Sequence, residues 1–171
     1  MTSPMQNCTQ QWFQNLRDQI LAEFEQIEIE YATKNSGQRP AKFELTKWQH
    51  KDGGGGTMAL MRGQVFEKVG VNISTVWGRF SEEFRGQIPG TEHDPSFWAS
   101  GISLVAHMQS PFVPAVHMNT RHINTEKKWS GGGTDLTPYF LFDEDKNEFH
   151  ETLKQACDRH NKEYYPRYKK W

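Results

Sequence analysis

Two short stretches of the chain concentrate hydrogen-bonding side chains in an alternating pattern. Residues 102–110 carry Ser103, Val105, His107 and Gln109 at every second position, and residues 116–125 carry His117, Asn119 and Arg121 at every second position. Side chains along a strand point to opposite faces in turn. Each stretch therefore has one mainly apolar face (Ile102, Leu104, Ala106 and Met108; Val116 and Met118 with Thr120) and one face of hydroxyl, imidazole, amide and guanidinium groups. If the two strands pair or lie close in one sheet, the polar faces line one cavity. An imidazole there moves a proton near neutral pH. A guanidinium there grips a carboxylate through two parallel N–H bonds. The same alternation also fits a strand face turned to water.

Metal binding and anion binding are further options. His107, His117 and His150, with His122 and Asp135 in reserve, are potential ligands, but their spacing matches no metal signature. Two glycine runs, Gly53-Gly54-Gly55-Gly56 and Gly131-Gly132-Gly133, read either as turns or as nests of backbone N–H groups. Neither has the spacing of a nucleotide-binding loop. Asp135 follows the second run and either caps a turn or lies in a pocket.

Helices and strands have to position these groups. An apolar stripe of Trp12 or Phe13, Leu16, Ile20, Phe24, Ile27 and Tyr31 predicts a helix over 9–32, with Thr9 as its cap. The region 43–125 reads as mainly sheet. Strands are predicted at 43–49, 70–77, 102–110 and 116–125, with a long loop or short helix over 79–95. Pro111 and Pro114 mark the connection between the last two strands. Residues 129–138 read as a glycine-rich loop. A second helix is expected over 143–161, with Phe149, Leu153 and Ala156 facing a core, and a further helix after Pro166. Consecutive strands without helical crossovers imply an antiparallel sheet with helices packed on it, an α+β class.

Composition narrows the function. The chain has 171 residues, long enough to bury a core. Apolar residues make up 35% and mean hydropathy is −0.83. Aromatics at 13% nevertheless exclude a disordered chain. Twenty basic against 21 acidic residues leave a net charge of −1, which argues against a nucleic-acid partner. The longest plainly apolar run, Met58-Ala59-Leu60-Met61, is far too short to span a bilayer. Two cysteines form no disulfide framework or zinc motif, and the polar start shows no leader, so a reduced, cytoplasmic setting is expected. The aromatic and basic ending, Tyr164 to Trp171, is too short a patch to reverse the nucleic-acid reading.

Six blocks, taken in order, resemble the oxygen-dependent coproporphyrinogen III oxidase family of haem biosynthesis. They are the first glycine run; residues 65–74, Val-Phe-Glu-Lys-Val-Gly-Val-Asn-Ile-Ser; residues 101–107, Gly-Ile-Ser-Leu-Val-Ala-His; residues 111–121, Pro-Phe-Val-Pro-Ala-Val-His-Met-Asn-Thr-Arg; residues 131–138, Gly-Gly-Gly-Thr-Asp-Leu-Thr-Pro; and residues 165–171, Tyr-Pro-Arg-Tyr-Lys-Lys-Trp. The resemblance implies a large antiparallel sheet flanked by helices on both sides, in a homodimer. It implies conversion of two propionates of coproporphyrinogen III to vinyls, giving protoporphyrinogen IX. Molecular oxygen is then the co-substrate, and no organic cofactor is needed. His117 matches the family's proton donor. Ser103, Asn119, Thr120, Arg121 and Asp135 match substrate-binding or acidic motif positions. His107, His117 and His150 match positions assigned to a divalent metal, whose requirement the resemblance does not settle. Where many members carry a basic residue after the first glycine run, this chain has Thr57-Met58-Ala59, with Arg62 retained nearby. The family pattern continues past the last block, so residues 1–171 are expected to be the amino-terminal part of one domain and inactive alone. The alternative is a non-catalytic porphyrin-binding or assembly module.

Overall fold

Strands joined by short connections pair most readily with their neighbours in sequence, and here all of them do. The computed structural model describes residues 3–35 and 37–170. A long helix, α1 (Pro4–Lys34), precedes β1 (Glu44–Gln49), β2 (Gly54–Met61), β3 (Phe66–Arg79), β4 (Ser96–Met108), β5 (Ala115–Asn124) and β6 (Lys128–Thr137). Two helices follow, α2 (Asp143–Asp158) and α3 (Tyr164–Lys169). The strands form one six-stranded sheet in sequence order, every pair antiparallel. This is the α+β class expected.

Several boundaries differ from expectation for physical reasons. Helix α1 starts at Pro4, not after Thr9, because Ser3 caps it. The Ser3 hydroxyl accepts from the Gln6 amide while the Gln6 side chain accepts from the Ser3 N–H, a reciprocal capping box. Both glycine runs were expected to be loops. Gly54–Gly56 instead belong to β2 and Gly131–Gly133 to β6. Pairing with a neighbouring strand outweighs the poor strand propensity of glycine. Helix α2 begins where its acidic first turn predicted but ends at Asp158. Helix α3 starts at Tyr164, taking Pro166 into its first turn, where a missing N–H costs nothing.

The core lies between α1 and one face of the sheet. Phe13 and Leu21 are buried, with Leu16, Ile20 and Phe24 packed beside them on Ala59, Met61, Val69, Val71, Ile102, Leu104 and Ala106. The expected stripe is thus correct through Phe24, whereas Trp12, Ile27 and Tyr31 stay exposed. In their place α1 buries Glu28, which is 1% exposed. Its carboxylate accepts the backbone N–H groups of Gln64, Val65 and Phe66, each at 3.0 Å. Gly63 lies so close that a side chain there would collide with this carboxylate. The Gln109 side chain donates to the Gly63 carbonyl, and its backbone N–H to the Val65 carbonyl, from the other side. Helix and β2–β3 turn are thus fastened by a buried anion.

Glu28→Gln keeps the shape but removes the charge and one strong acceptor. It should lower stability by about 2–4 kcal/mol, since each bond to a charged acceptor contributes about 1.5–3 kcal/mol. The urea midpoint checks this, and an unchanged midpoint would show that the turn holds itself.

Candidate functional site

Because opposed residues in an antiparallel sheet share a face, the registers determine what the uncovered face displays. One row runs Glu44, Leu60, Gly70, Val105, His117, Asp135 from β1 to β6. The next runs Thr46, Met58, Asn72, Ser103, Asn119, Gly133, and the third Trp48, Gly56, Ser74, Gly101, Arg121, Gly131. A row of opposite parity, Leu45, Ala59, Val71, Leu104, Met118 and Thr134, belongs to the helix face. The two polar strand faces recognised in the sequence therefore do meet, on the face away from α1.

Four side chains on this face form a directed hydrogen-bonded chain. Arg121 Nη1 donates to Asn119 Oδ1 at 2.7 Å. Asn119 Nδ2 donates to His117 Nε2 at 3.5 Å. His117 Nδ1–H donates to Asp135 Oδ2 at 2.9 Å. Every donor meets an acceptor only if His117 is neutral with its proton on Nδ1, which aims the Nε2 lone pair along the sheet. Asp135 is steadied in turn by the Thr137 hydroxyl at 3.3 Å, and Thr134 donates to the His117 carbonyl at 2.7 Å. The two threonines went unnoticed in the sequence. Reading 131–137 as a strand reveals Thr137, which then shares a face with Asp135, and puts Thr134 opposite Met118 beside the His117 carbonyl.

The surroundings are flat. A shallow depression of about 270 Å³ is lined by Trp48, Asn72, Ser74, Ser103, Asn119 and Arg121. Trp48 lies over Gly56, where a side chain would run into its indole. At Gly70 and Gly133, by contrast, an added Cβ would meet nothing within 4 Å. Glycine weakens a strand interior and commonly marks close approach of a ligand or another backbone. Among the described residues nothing makes that approach.

Not every expected site residue gathers here. His107 shares the face, one step beyond the His117 row, opposite Lys68. Thr120 is opposite Ile102, so its side chain alternates to the helix face. His150 lies on α2 against the other side of the sheet. It lines a cavity with Leu136 and Pro114, and Leu136 is opposite Val116, which packs on the core. Its Nδ1 hydrogen-bonds the Tyr165 hydroxyl at 3.0 Å. His107 and His117 thus face one way and His150 the other. Among the described residues no group of three His, Cys, Asp or Glu side chains is placed to hold one metal ion. The three histidines do not fit a shared metal in this arrangement.

Comparison with known proteins adds the decisive observation. The family model described as coproporphyrinogen III oxidase matches residues 8–171. The chain belongs to the coproporphyrinogen III oxidase family. It is 54% identical over 170 residues to the oxygen-dependent coproporphyrinogen-III oxidase of Rickettsia bellii (strain OSU 85-389), covering 99% of this chain and 61% of that protein. It is 57% identical over 162 residues to the protein of the same name from Rickettsia akari (strain Hartford), covering 95% of this chain and 58% of that protein. The chain therefore spans about three fifths of the length of these relatives.

The hydrogen-bonded chain makes a spectroscopic expectation. Nitrogen-15 NMR of His117 should show the proton on Nδ1 in the wild type. In Asp135→Asn the anionic acceptor is lost, and the Nε2–H tautomer should gain population. An Nε2–H tautomer already dominant in the wild type would break the chain as described.

Proposed function

We propose that this chain supplies the sheet floor and proton-handling group of an oxygen-dependent coproporphyrinogen III oxidase. The observation that carries this reading is the Arg121–Asn119–His117–Asp135 chain on a flat, glycine-paved face. The relatives' names supply the oxygen dependence and the substrate. Per propionate carboxylate, the substrate loses one carbon dioxide and one hydride equivalent, which leaves a vinyl group. Oxygen accepts the electron pair and that hydrogen, takes one further proton delivered from solvent, and leaves as hydrogen peroxide. Coproporphyrinogen III is the partner this face would hold, with no organic cofactor.

The roles follow from position. Arg121 is the group for a substrate carboxylate, because its guanidinium forms no ion pair with a protein carboxylate among the described residues. Ser103 and Asn119, opposite each other, offer a hydroxyl and an amide to the same ligand. His117 Nε2 is the proton-transfer atom, and Asp135 holds the ring in place. A carboxylate arriving at Arg121 competes for the N–H that Asn119 Oδ1 now accepts. Asn119 is then free to turn its oxygen toward a protonated His117. Substrate binding and proton loading are coupled through one amide.

Homodimer formation and a cytoplasmic setting belong to the same reading. The segment after β6 exposes Tyr139 (84%), Phe140 (51%) and Leu141 (64%), with Phe140 stacked on exposed Phe112. An apolar surface of this kind is what a partner or further chain would cover. That patch also supports the alternative, an assembly module that binds porphyrin without turnover. Cys8 and Cys157 are both unpaired, as in a reducing compartment.

Protoporphyrin fluorescence after coproporphyrinogen III is supplied in air separates the two. Among the described residues nothing covers the open floor to exclude water, so the chain alone should bind without turnover. Joined to the two fifths of the Rickettsia bellii protein that it does not cover, it should turn over. There His117→Ala should lower kcat by about 10²–10⁴ with KM little changed. Arg121→Gln should chiefly raise KM. Full turnover with His117→Ala would remove His117 from the proton-handling role.

A further inference from the structure

One cluster on the open face is unused by the chemistry above. Between Phe66 and Lys68 the β3–β4 register shifts, placing Phe66 opposite Met108 and Lys68 opposite His107. This is a bulge, and it leaves both Glu67 and Lys68 outside the core while Phe66 and Val69 are buried. The last β2–β3 pair is Met61 with Val69, so Arg62 continues beside Lys68 on the open face. Its Nη1 donates to the Glu67 carbonyl at 3.3 Å. Arg62, Lys68 and His107 thus form a basic row adjoining the His117 row. Arg62 and Lys68 are exposed, and neither forms an ion pair among the described residues. Two exposed acids lie nearby, Glu67 in the bulge itself and Glu44 on the same face opposite Leu60, and neither is paired with these cations.

We infer that Arg62 and Lys68 form a second carboxylate subsite, at the opposite end of the floor from Arg121. The inference rests on the reading of this face as the tetrapyrrole site and adds how the ligand is selected. Six residues along β4 separate Gly101, opposite Arg121, from His107, opposite Lys68. At about 3.3 Å per residue and about 4.8 Å per strand step, the Arg121 and Lys68 backbones lie about 22 Å apart. Their long side chains, reaching inward, bridge that span to the carboxylates of a tetrapyrrole with extended propionates. Between them stretch Gly70, Asn72, Ser103, Val105 and Asn119, none of which carries a charge. A ligand with carboxylates on opposite sides is held at both ends, whereas one with carboxylates along a single edge reaches only one cationic end.

The test measures quenching of the protein's tryptophan fluorescence by two stable porphyrins. Coproporphyrin III carries four carboxylates and mesoporphyrin IX two on one edge. Arg62→Gln with Lys68→Gln should weaken coproporphyrin binding about tenfold while mesoporphyrin binding changes less than twofold. Lys68→Arg, which keeps the charge, should bind coproporphyrin within about twofold of wild type and guards against a folding artefact. Equal weakening of both porphyrins, or no weakening of either, overturns the second subsite. In the latter case weakening by Arg121→Gln would leave the tetrapyrrole reading standing. Failure of the wild type to bind either porphyrin overturns both.

Discussion

The buried Glu28 carboxylate and the three backbone N–H groups it accepts set the parity of the sheet. In a strand, a slip of one residue exchanges the two faces. The β2–β3 turn and the bulge after it decide which face Val69, Val71 and Ile73 take. Glu28 anchors that turn to α1, and Gln109 anchors it to the end of β4. With the turn held, β3 puts its branched apolar residues under the helix and Gly70, Asn72 and Ser74 on the far side. The registers of β4, β5 and β6 carry the same parity outward to His117 and Asp135. A second tie, Glu25 accepting the Phe43 N–H at 2.9 Å, fixes the entry to β1.

That division of faces lets one sheet stabilise the fold on one side and offer a polar surface on the other. The helix face holds nearly all the buried apolar surface, the main source of stability. The open face carries little of it, so its residues are free to be chosen for chemistry. Glycines at Gly70 and Gly133 keep the surface low, and polar groups at Asn72, Ser103 and Asn119 keep it wet in the absence of ligand. The His117–Asp135 pair sits near the β6 edge, 37% and 57% exposed. A pair this open orders its proton through geometry, and a covering ligand would strengthen it by excluding water.

The legible part of this arrangement was the part written in side chains. Alternation in 102–110 and 116–125 disclosed two strands and put Ser103, His117, Asn119 and Arg121 on one face. Block order disclosed the family. The glycine-rich strands β2 and β6 were not legible, because glycine carries no hydropathy signal and disfavours strands in isolation. Their assignment as strands comes from pairing, which no local pattern expresses. Missing β6 also hid the Asp135–Thr137 contact. Glu28 was hidden for the opposite reason, since a carboxylate on a helix reads as solvent-facing until three amides are found around it. His150 looked like a companion of His107 and His117, but only the tertiary placement of α2 shows it on the other side. Thr120 entered through its motif, although its own alternation already assigned it to the helix face.

The central claim is that the open face, not the helix side, is where a tetrapyrrole lies. The helix side has its own candidate, a cavity of about 760 Å³ lined by Phe149, His150, Cys157, Tyr165 and Lys169 beside β6. Intermolecular nuclear Overhauser effects from the meso protons of bound coproporphyrin III decide between them. Contacts to the α protons of Gly70 and Gly133 and the side chain of Asn72 are expected. Contacts to Phe149, Leu153 and Tyr165 instead would contradict the assignment of the site.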